Sequence, residues 1–431
     1  MKKISTVLIG AGQRGVIYSS YALLHPNEFE VIAVAEIDTV RRENFRKMHG
    51  LAEDMCFSSW EELLAVPKLA DAAIICTPDN AHFQPSIKAL EKGYHLLLEK
   101  PMSNKPEECI KISEYAEKYK RLISICHVLR FTPFFTMLKK LMDDGRIGKL
   151  ISIAHNENVG YWHQAHSYVR GNWRNSNESS PMILAKSCHD LDIMLWLSGS
   201  ECSKLSSFGS LTHFKKENAP NGAPDRCLDG CPHDVECPYY APKIYLNGNT
   251  GWPASVISND TSVSSLTKAL KEGPYGRCVY HCDNNVVDHQ VVNIEFKNEV
   301  TAAFTMCAFT NEITRTIKLM GTKGEIRGAM EKNEIEVIDF STGARSVISL
   351  NETKSGHSGG DEGIMQNFVR LLQHEDIREG LTSAQISLQS HLMAFAAEKS
   401  RLENKVIDIN EFSKQIKRRK TEITFTDTYI K

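Results

Sequence analysis

The run STVLIGAGQRG at 5–15 constrains the fold of this chain more than any other stretch. Apolar residues without alternation suit a strand buried on both faces of a parallel sheet, and here they end in G-x-G-x-x-G before a helix-like segment. Gly10 permits a tight turn, Gly12 lets the backbone approach a pyrophosphate, and Gly15 allows close helix–strand packing. Gln13 and Arg14 occupy the variable positions of this cofactor-binding loop. Glu36 lies about 20 residues on, near the end of FEVIAVAEID (29–38), where a carboxylate binds both ribose hydroxyls of NAD and repels a 2′-phosphate. Arg41 and Arg42 are near enough to accept that phosphate, so NADP stays open beside NAD.

The alternation continues. AAIICTP (72–78), YHLLLEKP (94–101) and RLISICHV (121–128) read as further strands. Between them lie helices: WEELLA opened by a Ser59/Glu62 capping box, PSIKALEKG closed by Gly93, and PEECIKISEYAEKYK with Pro106 in its first turn. This predicts a doubly wound parallel sheet, an α/β Rossmann domain over 1–128. Over 129–431 the pattern changes to a helix (131–148) followed by alternating strands joined at Gly or Asn, among them KLISIAHNEN, DHQVVNIEF, VTAAFTMCAFT and NEIEVIDF. That predicts an α+β domain with a large open, mostly antiparallel sheet. A segment near 213–262, rich in Pro, Asn, Gly and Cys, reads as a long surface insertion. QISLQSHLMAFAAEKSRL predicts an amphipathic helix, and RRKTEITFTD a closing strand or tail; no internal repeat is visible.

A net charge of -2 gives no reason to expect nucleic acid or an anionic membrane as the main partner. The basic run KQIKRRK (414–420) reads as a solvated face. The apolar start is too short for a signal peptide, and no run approaches the ~18 apolar residues of a membrane span. Twelve scattered cysteines, several inside apolar strands, suit reduced thiols and a cytoplasmic setting.

Five pieces in order, GAGQRG (10–15), CTPDNAH (76–82), EKP (99–101), GRIGKL (145–150) and a histidine helix ending HDLDIMLWLSG, resemble the Gfo/Idh/MocA (glucose–fructose oxidoreductase / inositol dehydrogenase) family. The resemblance implies a bound nicotinamide dinucleotide and oxidation or reduction of a sugar, inositol or related polyol. It also implies a homodimer or homotetramer assembled through the open sheet. Carried over by position, Thr77, Pro78, Asn80 and His82 would line the cofactor cleft, with Glu99 and catalytic Lys100 beside the nicotinamide. Open α/β sheets bind ligands at the carboxyl ends of their strands, where these residues fall.

On a helix over 182–197, Lys186, His189 and Asp190 share one face and Leu184, Leu191 and Leu195 lie roughly opposite. These three polar residues are expected to be catalytic, with Asp192 in reach to orient the His189 ring. Relatives usually carry an aspartate four residues before this histidine; here Ala185 stands there and Lys186 follows. Cys188 is discounted as a nucleophile, and a metal at His189, Asp190 and Asp192 is discounted because consecutive helical positions diverge. Tyr161, Trp162, His163, His166, Arg170 and Trp173 form an aromatic and basic cluster suited to stacking on sugar rings and binding hydroxyls. In the insertion, Cys227, Cys231 and Cys237 are spaced C-x3-C-x5-C with His233 between, and Cys278 and Cys282 follow. A structural zinc on Cys227, Cys231, Cys237 and Cys282 is one expectation and free thiols the other, because the spacing is looser than paired C-x2-C motifs.

The leading functional expectation is an NAD(P)-dependent oxidoreductase acting on a sugar, cyclitol or glycoside hydroxyl. The alternatives are an NAD-dependent glycosidase working by transient oxidation and elimination, and a non-catalytic dinucleotide-binding regulator.

Overall fold

The computed structural model describes residues 2–351, 356–375 and 380–428. Its first sheet contains β1 (Ile4–Ile9), β2 (Phe29–Ala35), β3 (Cys56–Phe57), β4 (Ala72–Ile75), β5 (His95–Leu98) and β6 (Ile123–Ile125). All pairings are parallel, in the order β3-β2-β1-β4-β5-β6. Strand order reverses beside β1, which opens a crevice at the carboxyl ends of β1 and β4. Every residue of β4 is buried, as its unbroken apolar run requires.

The second sheet is built from β7 (Leu150–Asn158), β8 (Cys202–Ser210), β9 (His289–Phe296), β10 (Thr301–Cys307), β11 (Thr314–Gly321), β12 (Gly324–Ala329), β13 (Glu334–Asp339), β14 (Arg345–Ser349) and β15 (Ile407–Asp408). The order is β14-β13-β12-β11-β7-β10-β9-β8-β15, and every pairing is antiparallel except β7 with β10. Along β9 and β10, buried and solvent-facing residues alternate. The buried face packs on helix Cys188–Ser198, so the sheet forms a floor under that helix.

Three predicted elements differ. The segment 182–197 is two short helices, Met182–Ala185 and Cys188–Ser198, separated at Lys186 and Ser187. Helix Ala384–Glu403 is not a surface amphipath: it lies between the two sheets' layers, against helix Pro106–Tyr119, β8 and helix Cys188–Ser198, and is buried on several sides. The closing segment is helix Ile409–Thr428 rather than a strand or tail. Helix Gly360–His374 returns to the first sheet, placing Ile364, Met365 and Phe368 in one core with Leu8 and Phe45. The insertion joining β8 to β9 runs beyond residue 262 and carries helices Ala241–Tyr245, Ala254–Ile257 and Val263–Glu272.

Candidate active site

The glycine loop closes as its spacing requires. Gly10 has φ +93°, and a Cβ there would stand 2.7 Å from the Cys76 carbonyl oxygen; a Cβ on Gly15 would stand 2.1 Å from that of Gly10. A Cβ on Gly12 would meet nothing within 4 Å, so the second glycine faces open space at the start of helix Gln13–Ser19. Glu36 is buried under the loop, its Oε2 accepting from Ala11 N at 2.7 Å and its Oε1 from Asp38 N at 3.0 Å. Arg42 donates at 2.5 Å to the Glu36 carbonyl oxygen, so it is turned to the backbone. An open pyrophosphate approach beside a carboxylate suits a dinucleotide with free ribose hydroxyls.

Arg14 departs from its expected cofactor role. Its Nε donates to Glu99 Oε1 at 2.8 Å, and its Nη atoms donate to Asp361 at 3.1 and 2.6 Å. Asp361 belongs to the returning helix, so this guanidinium ties the glycine-loop helix to the C-terminal part of the chain. His82 is also structural: its ring nitrogens lie 2.7 Å from the Pro101 and Thr77 carbonyl oxygens, stapling two loops beneath the cleft. Asn80 donates to Glu178 O at 3.1 Å, and Pro78 precedes the short turn Asp79–Ala81. Thr77 keeps a buried hydroxyl that makes no hydrogen bond among the described residues. Asp79, which the sequence reading passed over, accepts from Trp173 Nε1 at 3.2 Å and from the Ser179 and Ser180 hydroxyls at 3.2 and 2.9 Å.

Lys100 follows β5 and spans to the second domain. Its Nζ donates to the Ala185 carbonyl oxygen at 3.0 Å and lies 5.9 Å from the Trp173 ring centroid. Glu99 behind it accepts from the Lys100 amide at 2.7 Å and from Tyr18 at 2.9 Å. Burial acts to raise the Glu99 pKa, but Arg14 and Lys100 together hold it below the ordinary range. The Ala185 carbonyl that accepts from Lys100 lies at the end of the first helix; Lys186 is still in the right-handed region at φ -107°, ψ -55°, and the backbone departs from helical geometry at Ser187, φ -88°, ψ 4°.

His189 is 5 % exposed, and its Nδ1 makes no hydrogen bond among the described residues. Burial first, then Lys100 and His127, push its pKa well below the ordinary imidazole value, so the ring is neutral. Two further rings stand near: His127, 5.7 Å between centroids, and His357, 6.3 Å. His127 was not singled out in the sequence; it sits at the end of an apolar strand, where it reads as core.

Asp190 and Asp192 correct the expected face. Asp190 is fully buried against the sheet, 2.8 Å from both His155 Nε2 and Arg315 Nε. Arg315 also pairs with Glu157 at 2.5 Å, and Glu157 reaches Lys186 Nζ at 3.3 Å. Burial pushes the Lys186 pKa down while Glu157 pulls it back. Asp192 does not touch His189: it accepts from Arg130 Nε and Nη2 at 2.6 and 2.8 Å, with His127 Nε2 3.9 Å away. The helix therefore has no solvated side, and its carboxylates are internal ion-pair partners.

The aromatic cluster divides similarly. Trp162, His163 and His166 surround Trp252 of the insertion, with ring centroids 5.0, 5.0 and 5.4 Å away. His166 also bonds the Tyr245 hydroxyl at 2.9 Å and stacks on Tyr275. Tyr161 packs edge-on to Tyr239. Arg170 is wholly buried and turned away from the cleft into the insertion, donating to the Arg277 and Tyr239 carbonyl oxygens at 2.7 Å each. Zinc finds no support: among the described residues, no group of three or more His, Cys, Asp or Glu side chains is arranged to hold a metal ion.

A dinucleotide loop at a topological switch, facing a lysine and a neutral histidine across the cleft, defines an NAD-binding oxidoreductase. The NAD-binding Rossmann-fold model of the GFO_IDH_MocA oxidoreductase family matches residues 4–127, and the C-terminal alpha/beta domain model matches 139–409. The chain belongs to this family. It is 21% identical over 324 residues to the putative oxidoreductase YteT of Bacillus subtilis, covering 72% of this chain and 74% of that protein. It is 27% identical over 207 residues to an inositol 2-dehydrogenase of Corynebacterium glutamicum, covering 46% and 55%. The solved scyllo-inositol dehydrogenase of Lactobacillus casei, bound to NAD(H) and scyllo-inositol, shares the fold with TM-score 0.65 at 18% identity, covering 95% of this chain and 100% of that one.

Proposed function

We propose that this protein is an NAD-dependent dehydrogenase of a sugar or cyclitol secondary alcohol, with Lys100 and His189 as its catalytic residues. The glycine loop and Glu36 would hold NAD, which would supply the hydride acceptor for the carbinol carbon. Neutral His189 takes the hydroxyl proton, since burial beside Lys100 keeps its ring free to accept one. The Lys100 ammonium, fixed by the Ala185 carbonyl, stabilises alkoxide charge as it develops. Trp173, held by Asp79 below the Lys100 side chain, offers an apolar face for a sugar ring. Lys186 sits at the same turn and binds a substrate hydroxyl, its charge balanced from behind by Glu157. Family relatives that act on inositols support the substrate class.

The observation that carries this reading is the Lys100–Ala185 hydrogen bond, which locks the catalytic lysine to the turn that bears His189. The test is a screen of sugars, cyclitols and glycosides that follows formation of reduced cofactor. Lys100→Met should lower turnover by about 10²–10⁴ while leaving NAD affinity within a few-fold. Unchanged turnover in that variant on the true substrate would reject the proposal. Cleavage of an aryl glycoside that needs NAD without accumulating NADH would replace net oxidation by the elimination reading.

A further inference from the structure

Away from the cleft, the segment Ala165–Arg170 sends a buried cation with no counter-charge into the insertion. Arg170 is 0 % exposed, and its Nη1 makes no hydrogen bond among the described residues. Its other nitrogens donate to two carbonyl oxygens and, from Nη2 at 3.6 Å, to Cys227 Sγ. It forms no ion pair among the described residues. A buried guanidinium without a carboxylate is costly unless something else nearby is negative.

The same guanidinium lines a small cavity of about 20 Å³ together with Cys227, Cys231, Cys237 and Cys278. Two observations bear on how these sulfurs are placed. Cys227 Sγ accepts from the Ala241 amide at 3.4 Å as well as from Arg170, and N–H groups aimed at sulfur are a feature of metal-bound thiolates. The backbone also pairs the two cysteine segments: Cys227 N donates to Gly276 O at 2.9 Å and Cys278 N to Asp225 O at 2.8 Å. That pairing brings Cys278 beside the C-x3-C-x5-C loop. The expected fourth ligand, Cys282, is not in the cavity lining, and its thiol donates to the Cys278 carbonyl at 3.2 Å. His233 has both ring nitrogens engaged, by Glu236 at 2.7 Å and the Asn221 carbonyl at 2.8 Å.

We propose that Cys227, Cys231, Cys237 and Cys278 hold a four-iron–four-sulfur cluster. Neutral thiols leave Arg170 uncompensated, whereas four thiolates outweigh the charge of an oxidised cubane core and supply the missing negative charge. A single ion needs its ligands to converge on one point, and no group of three among the described residues does so. A cubane gives each thiolate its own iron corner, so the four sulfurs surround the core without converging. The cluster acts as a staple. It fixes the insertion that presses Trp252 and Tyr275 onto His166.

The test is metal analysis of the full chain purified without oxygen from iron-supplemented cells, repeated after incubation with ferrous iron and sulfide under reducing conditions. About four irons and four acid-labile sulfides per chain are expected, with broad visible absorbance that dithionite bleaches. Cys227→Ser and Cys278→Ser should reduce bound iron to background, and Cys282→Ser and Cys307→Ser should keep it in full. Stoichiometric zinc, or no iron even after reconstitution, overturns the proposal on the wild-type chain alone, so a variant that fails to fold cannot shield it. Iron retained in Cys278→Ser and lost in Cys282→Ser would overturn the ligand assignment.

Discussion

Asp190→Asn separates a structural from a catalytic carboxylate on the histidine helix. In the fold, Asp190 Oδ1 lies 2.8 Å from both His155 Nε2 and Arg315 Nε, and the side chain is fully buried. Burial alone would raise its pKa; Arg315 and the His155 hydrogen bond overcome that and bring it from 3.8 to about 2. A carboxylate whose folded pKa is depressed stabilises the fold fully above its unfolded value, and loses that contribution as pH falls towards the folded one. The interval is worth roughly 2–3 kcal/mol, about half of it gone by pH 3.

The amide keeps the shape but cannot ionise, so this acid-labile contribution disappears from the variant. At pH 7 the variant should also be less stable by about 3–5 kcal/mol, because Arg315 loses one of its two buried anions. The assay is urea unfolding followed by tryptophan fluorescence from pH 7 to 3, with wild type and variant compared at each pH. The gap between them should narrow as pH falls below about 4. In folded variant, turnover should stay within about tenfold of wild type, since Asp190 faces the sheet rather than the cleft. A gap independent of pH, or a loss of turnover beyond about 10³ with the fold intact, would refute the ion-pair role and return Asp190 to the catalytic set.

Three further tests address the cleft. Gly12→Ala should leave stability nearly unchanged and weaken NAD binding at least tenfold, because its Cβ would fill only the open approach; Gly10→Ala should destabilise the fold itself, since its Cβ would collide with the Cys76 carbonyl. Equal stability losses for the two would contradict the geometry. For oxidation, kcat/KM should be flat near neutrality and fall in acid as His189 takes up a proton, the acid limb lying below pH 6.5 and absent in a variant lacking the imidazole. Arg130→Met should cost about 3–5 kcal/mol by stranding Asp192, and adding Asp192→Leu should restore part of it in a double-mutant cycle.

Local signals were read correctly where local physics decides the outcome. Unbroken apolar runs gave β1, β4 and β5, alternation gave β9 and β10, and the three glycines fixed the loop. The short strand β3 and the edge strands β14 and β15 lack either pattern, because two residues or a mostly exposed strand show no period. What failed was the assumption that a polar residue on a helix faces whatever lies in front of that helix. Arg14 is completed by Asp361, Asp190 by Arg315 and Asp192 by Arg130, partners separated by 347, 125 and 62 residues. No window along the chain contains such a pair, so each of these side chains reads as a free functional group until the fold supplies its partner.

The turn at 185–188 shows the same limit and what lies behind it. Helix periodicity places Lys186 beside His189, but the Ala185 carbonyl that would continue the helix is taken by Lys100 from another domain. One long-range hydrogen bond thus sits at the helix break and orients the Lys100 side chain. It also frees Lys186 to turn towards Glu157. With no carboxylate at position 185, the backbone oxygen itself receives the Lys100 ammonium. Lys186, whose charge Glu157 offsets, lies at the same turn. On the proposed reading, specificity would rest on the pair Lys186–Glu157, and proton transfer on Lys100 and His189.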